Sequence, residues 1–365
     1  MKWSLCIIAR DNEAIIGQTL EGVKSFIDEI IVVDTGSLDK TKEVAESYGA
    51  ITYDFEWIDD FAAARTFAFS KATGDWIMWL DTGDIITPES AAKWAWLKTT
   101  NIINERPQGE ELIWAETNRC IEPDTGRVTF HYPVPRMAYS GANPKWEGAV
   151  HEILSTDNSI SWYFDGGYVN DPFGYNQKAT DRNIKILKRL LDEGDTSTRT
   201  AYYYANELRD LERNEEAVEA YHNFLQMKHF TWEYYEAMIS VSKVHRRMKQ
   251  DLEASGFLLQ AVHYAPERAE AWVLMGDIFY EQQLFEKAIP YYRACIGAVM
   301  PNDGAPVFEP SYSHLPLERM GFCHLGLNNV KEAINCFHEA AKKAKTPHDA
   351  KILKDFAKKL RASQQ

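Results

Sequence analysis

The stretch Glu29-Ile30-Ile31-Val32-Val33-Asp34-Thr35-Gly36-Ser37 decides the fold. Four β-branched apolar residues in a row suit a strand buried on both faces, and the acid with its Thr-Gly-Ser turn closes it. Upstream, Leu5-Cys6-Ile7-Ile8 is a second such run, ending in Arg10-Asp11-Asn12-Glu13. Between the two runs Ile15, Ile16, Leu20, Val23 and Phe26 recur at helical spacing. Downstream, Ser37 and Asp39 are placed to cap a helix over 40–48 that stops at Gly49. Residues 50–55 predict a third strand, 62–72 a helix and 75–80 a fourth strand. Buried strands alternating with helices imply a parallel sheet covered on both faces, with ligands beyond the strand carboxyl ends. Arg10, Asp34 and Asp81 fall at those ends.

From about residue 113 to 168 shorter strand-like pieces punctuated by Gly, Pro and Asn predict an antiparallel extension of the sheet. After Gly174 the chain reads as helical nearly throughout, and it repeats. Ala217, Ala254, Ala288 and Ala333 occupy equivalent small positions, each followed by large apolar residues. The unit with Trp272, Met275, Gly276 and Phe279, then Ala288, Tyr292, Cys295 and Pro301, fits the tetratricopeptide pattern best. The unit with Met320, Gly321, Ala333, Phe337 and Ala340 carries extra length, placed in the loop at 301–316, and an earlier one has Val241, Ala254, Leu258, Ala261 and Pro266. Small residues let paired helices approach while large ones fill the space between them.

A length of 365 residues suits two domains. The net charge of −14 argues against general nucleic-acid binding, which needs a concentrated basic face. The apolar runs are too short to span a bilayer, so the chain reads as cytoplasmic with no transmembrane segment. Five scattered cysteines without a CxxC pair read as reduced thiols. The aromatic surplus serves cores and stacking surfaces alike.

The strings 5–13 and 30–41, together with Asp59-Asp60-Phe61-Ala62-Ala63-Ala64-Arg65 and Gly74-Asp75-Trp76-Ile77-Met78-Trp79-Leu80-Asp81, resemble the start of family 2 glycosyltransferases of GT-A fold. The resemblance is nearest the bacterial subgroup with tetratricopeptide repeats after the catalytic domain, dense over 4–88 and thinner over 99–139. It implies an α/β GT-A domain over 1–175 followed by an all-α repeat domain over 176–365. It further implies inverting transfer of a sugar from a nucleotide-diphosphate donor, UDP-glucose-like by family default. The acceptor stays open between a glycan, a lipid-linked species and a peptide or protein. The repeats are expected to hold that acceptor or an oligomeric partner, with Tyr202, Tyr203, Asn206, Trp232, Tyr235 and Trp272 as groove candidates or as packing.

On the same resemblance, Asp34 accepts hydrogen bonds from the donor's base or ribose, with Ala9, Arg10 and Asp60 beside it. Asn12 and Glu13 begin a helix whose amides favour an anion. Arg65, among Ala62, Ala63 and Ala64, has room for a diphosphate beside its guanidinium, or else pairs with Asp59 or Asp60 on the surface. The family places two acids around one residue where Asp81-Thr82-Gly83-Asp84 stands, holding manganese or magnesium. Here Gly83 takes the second position. Either Asp84 swings in, glycine letting the backbone adjust, or metal binding is weak or lost; capping a turn before Thr87-Pro88 is the other use for Asp84.

Trp146-Glu147-Gly148-Ala149-Val150-His151-Glu152 resembles the subgroup's His-Glu signature. Glu152 is then the base that takes the acceptor proton, His151 a ligand to metal or phosphate, and Trp146 a stacking face for a sugar or simply core. Pro172-Phe173-Gly174-Tyr175 replaces the family's His-x-Gly-Tyr element. A binding protein that kept the fold and lost its metal chemistry is the second reading. A nucleotidyltransferase is disfavoured because the first loop lacks a glycine-rich basic phosphate cradle.

Overall fold

The computed structural model describes residues 1–100, 103, 105, 109–121, 128–171, 181–227, 231–301 and 307–363. It divides into two units, Met1–Glu193 and Gly194–Gln365. The junction expected between 175 and 176 lies outside the described residues, as does the 172–175 element.

In the first unit β1 (Trp3–Ala9), β2 (Glu29–Asp34), β3 (Ile51–Asp54) and β4 (Trp76–Trp79) are joined by α1 (Ile16–Val23), α2 (Thr41–Ser47) and α3 (Phe61–Lys71). α4 (Pro88–Thr99) follows, then β5 (Leu112–Ile121), β6 (Val128–Tyr139), β7 (Lys145–Glu147), β8 (Ile153–Ser155) and β9 (Ser161–Asp171). Among the described residues the main sheet has seven strands in the order β3-β2-β1-β4-β6-β5-β9, and β7 pairs with β8 apart from it. β1 to β4 run parallel, so the sequence reading of buried βαβ units holds. The chain turns back between β2 and β4 on either side of β1, which makes the β1–β4 ends the switch point where α/β sheets take ligands.

The alternation of side chains along β1 builds both layers. Trp3, Leu5 and Ile7 join Leu20, Val23 and Trp94 on one face, while Cys6 joins Ala68, Phe69 and Trp146 on the other. Each large side chain buried this way contributes on the order of 2 kcal/mol.

The extension beyond β4 is only partly antiparallel. β6 runs antiparallel to β4 and β5, but β9 lies parallel to β5. The β7–β8 hairpin stands between β6 and β9, so the chain re-enters the sheet in the direction of β5. α5 (Asp181–Asp192) closes this unit. Its Arg182 guanidinium lies 4.8 Å from the Phe61 ring centre, and its Arg189 stands 3.7 Å from Asp59.

The second unit is helical. Among the described residues four packed helix pairs follow one another: α6 (Thr198–Asp210) with α7 (Asn214–Gln226), α8 (Trp232–Arg247) with α9 (Asp251–Tyr264), α10 (Ala269–Glu281) with α11 (Phe285–Ala294), and α12 (Leu315–Gly326) with α13 (Val330–Lys343). α14 (Pro347–Ala362) packs on α13. Ala217, Ala254, Ala288 and Ala333 are fully buried, as the repeat demands. Gly276 sits against Tyr292 so closely that an added Cβ would lie 2.5 Å from the ring, and Gly321 faces Phe337 in the same way at 2.8 Å. Tyr202 and Tyr235 are buried, so these two groove candidates are packing residues. The Trp272 indole is spent on the Pro266 carbonyl at 3.0 Å.

Candidate active site

The site is built at the carboxyl ends of β1, β2 and β4. Asp34 ends β2, buried at 3% exposure; its Oδ1 accepts from the Gly36 and Ser37 amides at 2.8 Å each. Gly36 has φ +103, the left-handed conformation that glycine adopts without strain. The other carboxylate oxygen, Oδ2, is buried and has no hydrogen-bond partner among the described residues. An orphaned acceptor at a strand end is costly unless something supplies a donor.

The loop after β1 is laced to the loop after β2. The amides of Asp11, Asn12 and Glu13 donate to Ser37, Thr41 and Asp39 side chains, and the Lys40 amide donates to Glu13. α1 begins only at Ile16. These amides are therefore committed within the protein, which corrects the expectation that Asn12 and Glu13 open a helix toward an anion. Ser37 thus holds this junction rather than capping α2, while Asp39 also accepts from the Thr41 amide at 2.9 Å at the start of α2. Arg10 is exposed and Ala9 buried at the same end of β1. Asp60 caps α3, accepting from the Ala63 amide at 2.9 Å.

Arg65 forms the centre. On α3 it shares the inward face with Ala62, Ala68 and Phe69, so its side chain enters the sheet layer and is 5% exposed. Its Nε donates to Glu152 Oε1 at 2.5 Å and its Nη2 to Asp81 Oδ1 at 2.6 Å. The guanidinium lies 4.5 Å from the Trp79 ring centre and 5.1 Å from that of Trp146. Burial opposes its charge, but the two carboxylates outweigh burial and raise its pKa. Pairing with Asp59 or Asp60 on the surface is thus overturned, and the two paired nitrogens are not open to a diphosphate.

Glu152 reaches Arg65 from the β7–β8 hairpin. Gly148 and His151 take positive φ, +94 and +56, so the connection doubles back on itself. The Phe61 amide donates to the Ala149 carbonyl at 2.9 Å, which ties this loop to the start of α3. Only Oε1 of Glu152 is hydrogen-bonded among the described residues. Trp146 is 7% exposed, edge-on to Phe69 and Trp79 and under Arg65. It supports the guanidinium and presents no open face to a sugar.

The acidic motif separates into two environments. The Asp81 side chain is half exposed and paired to Arg65. Asp84 is buried, with its Oδ2 2.9 Å from Arg136 Nη1 and 3.0 Å from the Asp81 amide. Burial, opposed by Arg136, pushes the Asp84 carboxyl up to about 6. Arg136 also donates to Thr117 at 2.9 Å and lies 4.4 Å from the Trp79 ring centre. Gly83, at φ +99, turns its amide to Thr19 at 2.9 Å, and Thr82 donates to Asn12 at 2.8 Å. A metal shared by Asp81, Asp84 and His151 does not fit these residues, because the Asp84 carboxylate faces inward onto an arginine. No group of three or more acids, histidines or cysteines among the described residues is arranged to hold a metal ion. Sequence reasoning missed Arg136, whose only signal was a cation beside the apolar Met137-Ala138 in a strand.

No helix among the described residues is long and apolar enough to cross a membrane. Residues 4–94 match the glycosyl transferase family 2 model and residues 253–303 a tetratricopeptide repeat model. The chain is 34% identical over 157 residues to a tetratricopeptide-repeat-containing protein of Synechococcus elongatus, covering 43% of this chain and 36% of that one. It is 25% identical over 240 residues to the prophage-derived glycosyltransferase SunS of Bacillus subtilis, covering 61% of this chain and 55% of that one. It thus spans about half or less of the length of these curated relatives. The solved structure of S. aureus TarS residues 1–349 is similar at 14% identity with a TM-score of 0.39, over 73% of this chain and 93% of that one.

Proposed function

Since the chain joins a family 2 glycosyl transferase domain to tetratricopeptide repeats, we propose that it is an inverting glycosyltransferase using a nucleoside-diphosphate sugar, UDP-glucose-like. The observation that carries this reading is Arg65, which draws Asp81 and Glu152 onto one buried cation. Asp81 ends the β4 side, where the diphosphate belongs; Glu152 comes from the hairpin that forms the acceptor side. The orphaned Asp34 Oδ2 offers the nucleoside a buried acceptor at the β2 end.

In the reaction the acceptor hydroxyl attacks the anomeric carbon as the bond to the diphosphate breaks. Glu152 takes the hydroxyl proton through Oε2 while Arg65 holds Oε1 in place. The acceptor is a glycan, a lipid-linked species or a peptide, and the repeat unit serves to hold it. A second reading, a binding protein that has lost catalysis, is favoured by Asp84 being committed to Arg136.

The experiment is incubation with a panel of nucleotide sugars, with and without manganese, following release of free nucleoside diphosphate. Release from one donor supports the enzyme. Binding of a nucleoside diphosphate with no release from any donor supports the binding protein.

A further inference from the structure

The net charge of the chain is −14, yet between residues 342 and 361 eight lysines and arginines face only two aspartates. The cations are Lys342, Lys343, Lys345, Lys351, Lys354, Lys358, Lys359 and Arg361, and all are exposed. Lys342 pairs with Glu339, and the other seven make no ion pair among the described residues. One of the aspartates, Asp349, is bonded to Thr346 at the start of α14 and is thereby partly withdrawn from the surface.

Helix geometry gathers this charge on one side. Leu353 and Ala357 are buried against α13, with Phe356 and Leu360 packed beside them. Lys351, Lys354, Lys358 and Arg361 recur at i, i+3, i+7 and i+10, which places them together along one exposed flank of the helix, with Asp355 beside Lys351 and Lys358. In so acidic a chain the local excess of lysine is held against its own repulsion. From Lys351 to Arg361 the stripe runs about 15 Å along α14.

We propose that the exposed face of α14, with the end of α13, docks the protein on an anionic lipid bilayer. Seven of the eight cations are lysines, compact charges suited to a diffuse plane of headgroups, and a single arginine offers little of the planar recognition that nucleic acid rewards. Charge, not insertion, holds this contact, because the apolar side of α14 is already packed. The inference stands apart from the catalytic reading, and either can fail alone.

The test is sedimentation of the full chain with phosphatidylcholine vesicles, pure or carrying about 30% phosphatidylglycerol. The protein should bind the anionic vesicles at low salt, ignore the neutral ones, and be released at roughly 0.5 M salt. Changing Lys351, Lys354 and Lys358 together to Gln should lower binding roughly 100-fold. Changing the exposed Lys249, Lys287 and Lys331 to Gln, an equal loss of charge elsewhere in the repeats, should alter it less than about 3-fold. Failure to bind anionic vesicles at low salt overturns the proposal. So does equal binding to neutral vesicles, an equal response to the two triple variants, or retention of duplex DNA in place of vesicles.

Discussion

Arg65 Nε and Glu152 Oε1 lie 2.5 Å apart although 87 residues separate them in the chain. One is fixed by α3 and the other by a two-stranded hairpin, and the Phe61–Ala149 backbone bond joins those supports. The guanidinium keeps its second arm on Asp81. Its bridging geometry therefore matters as well as its charge.

Arg65→Lys should test that geometry. An ammonium keeps the charge but cannot span both carboxylates in one plane, so transfer should fall about 10- to 100-fold. The loss should appear in kcat, with the affinity for UDP nearly unchanged. Steady-state kinetics checks it; an unchanged kcat would remove the bridging role.

Asp84→Asn should behave as loss of a buried partner. It leaves the Arg136 guanidinium uncompensated and should destabilise the first unit by about 3 kcal/mol. With Arg136→Met added, the loss should be smaller than the sum of the two single losses by about 1–3 kcal/mol. Denaturant unfolding of the four proteins measures the cycle. Full stability in Asp84→Asn, together with a lost response to manganese, would return Asp84 to the ligand role.

Glu29 gives a pH dependence of known sign. Burial alone would raise its pKa, but hydrogen bonds from Lys2, Ser4 and Thr73 outweigh burial and hold it at about 2. The folded value is below the unfolded one, so this stability is present above about pH 4.5 and is lost as pH falls toward 2. Allowing for solvent screening, the effect is about 1 kcal/mol. Urea midpoints at about pH 5 and pH 3 should converge in Glu29→Gln relative to the parent protein.

Gly276→Ala should destabilise the repeat unit by about 1–3 kcal/mol, because the new methyl meets the Tyr292 ring. Displacing that ring also strains the 2.7 Å bond from its hydroxyl to Asp277. Hydrogen exchange should register the loss in α10 and α11 while β1 to β4 keep their protection.

How much of this was legible in the sequence follows from the range of each interaction. β1 to β4 were readable because each is a short apolar run with its own crossover helix, and the repeats because Ala217, Ala254, Ala288 and Ala333 recur at helix crossings. The direction of β9 was not readable, since strands 112–121 and 161–171 do not encode where the intervening hairpin returns the chain. Asp34, Asp81, Arg65 and Glu152 were picked out by local motif. Their grouping depends on a contact between helix and hairpin that neither segment specifies alone. The alternatives left open for Asp84 could not be narrowed for the same reason: its partner Arg136 lies 52 residues away, in a strand without a motif.

The central claim, that Glu152 is the base, is tested most directly by Glu152→Gln. Once donor and acceptor are identified, transfer and UDP affinity are measured on the variant beside the parent protein. The amide keeps the size of the side chain and can still accept from Arg65, so UDP affinity should hold. It cannot take a proton, so turnover should fall roughly 100-fold or more. Near-normal turnover in a folded Glu152→Gln protein would contradict the account.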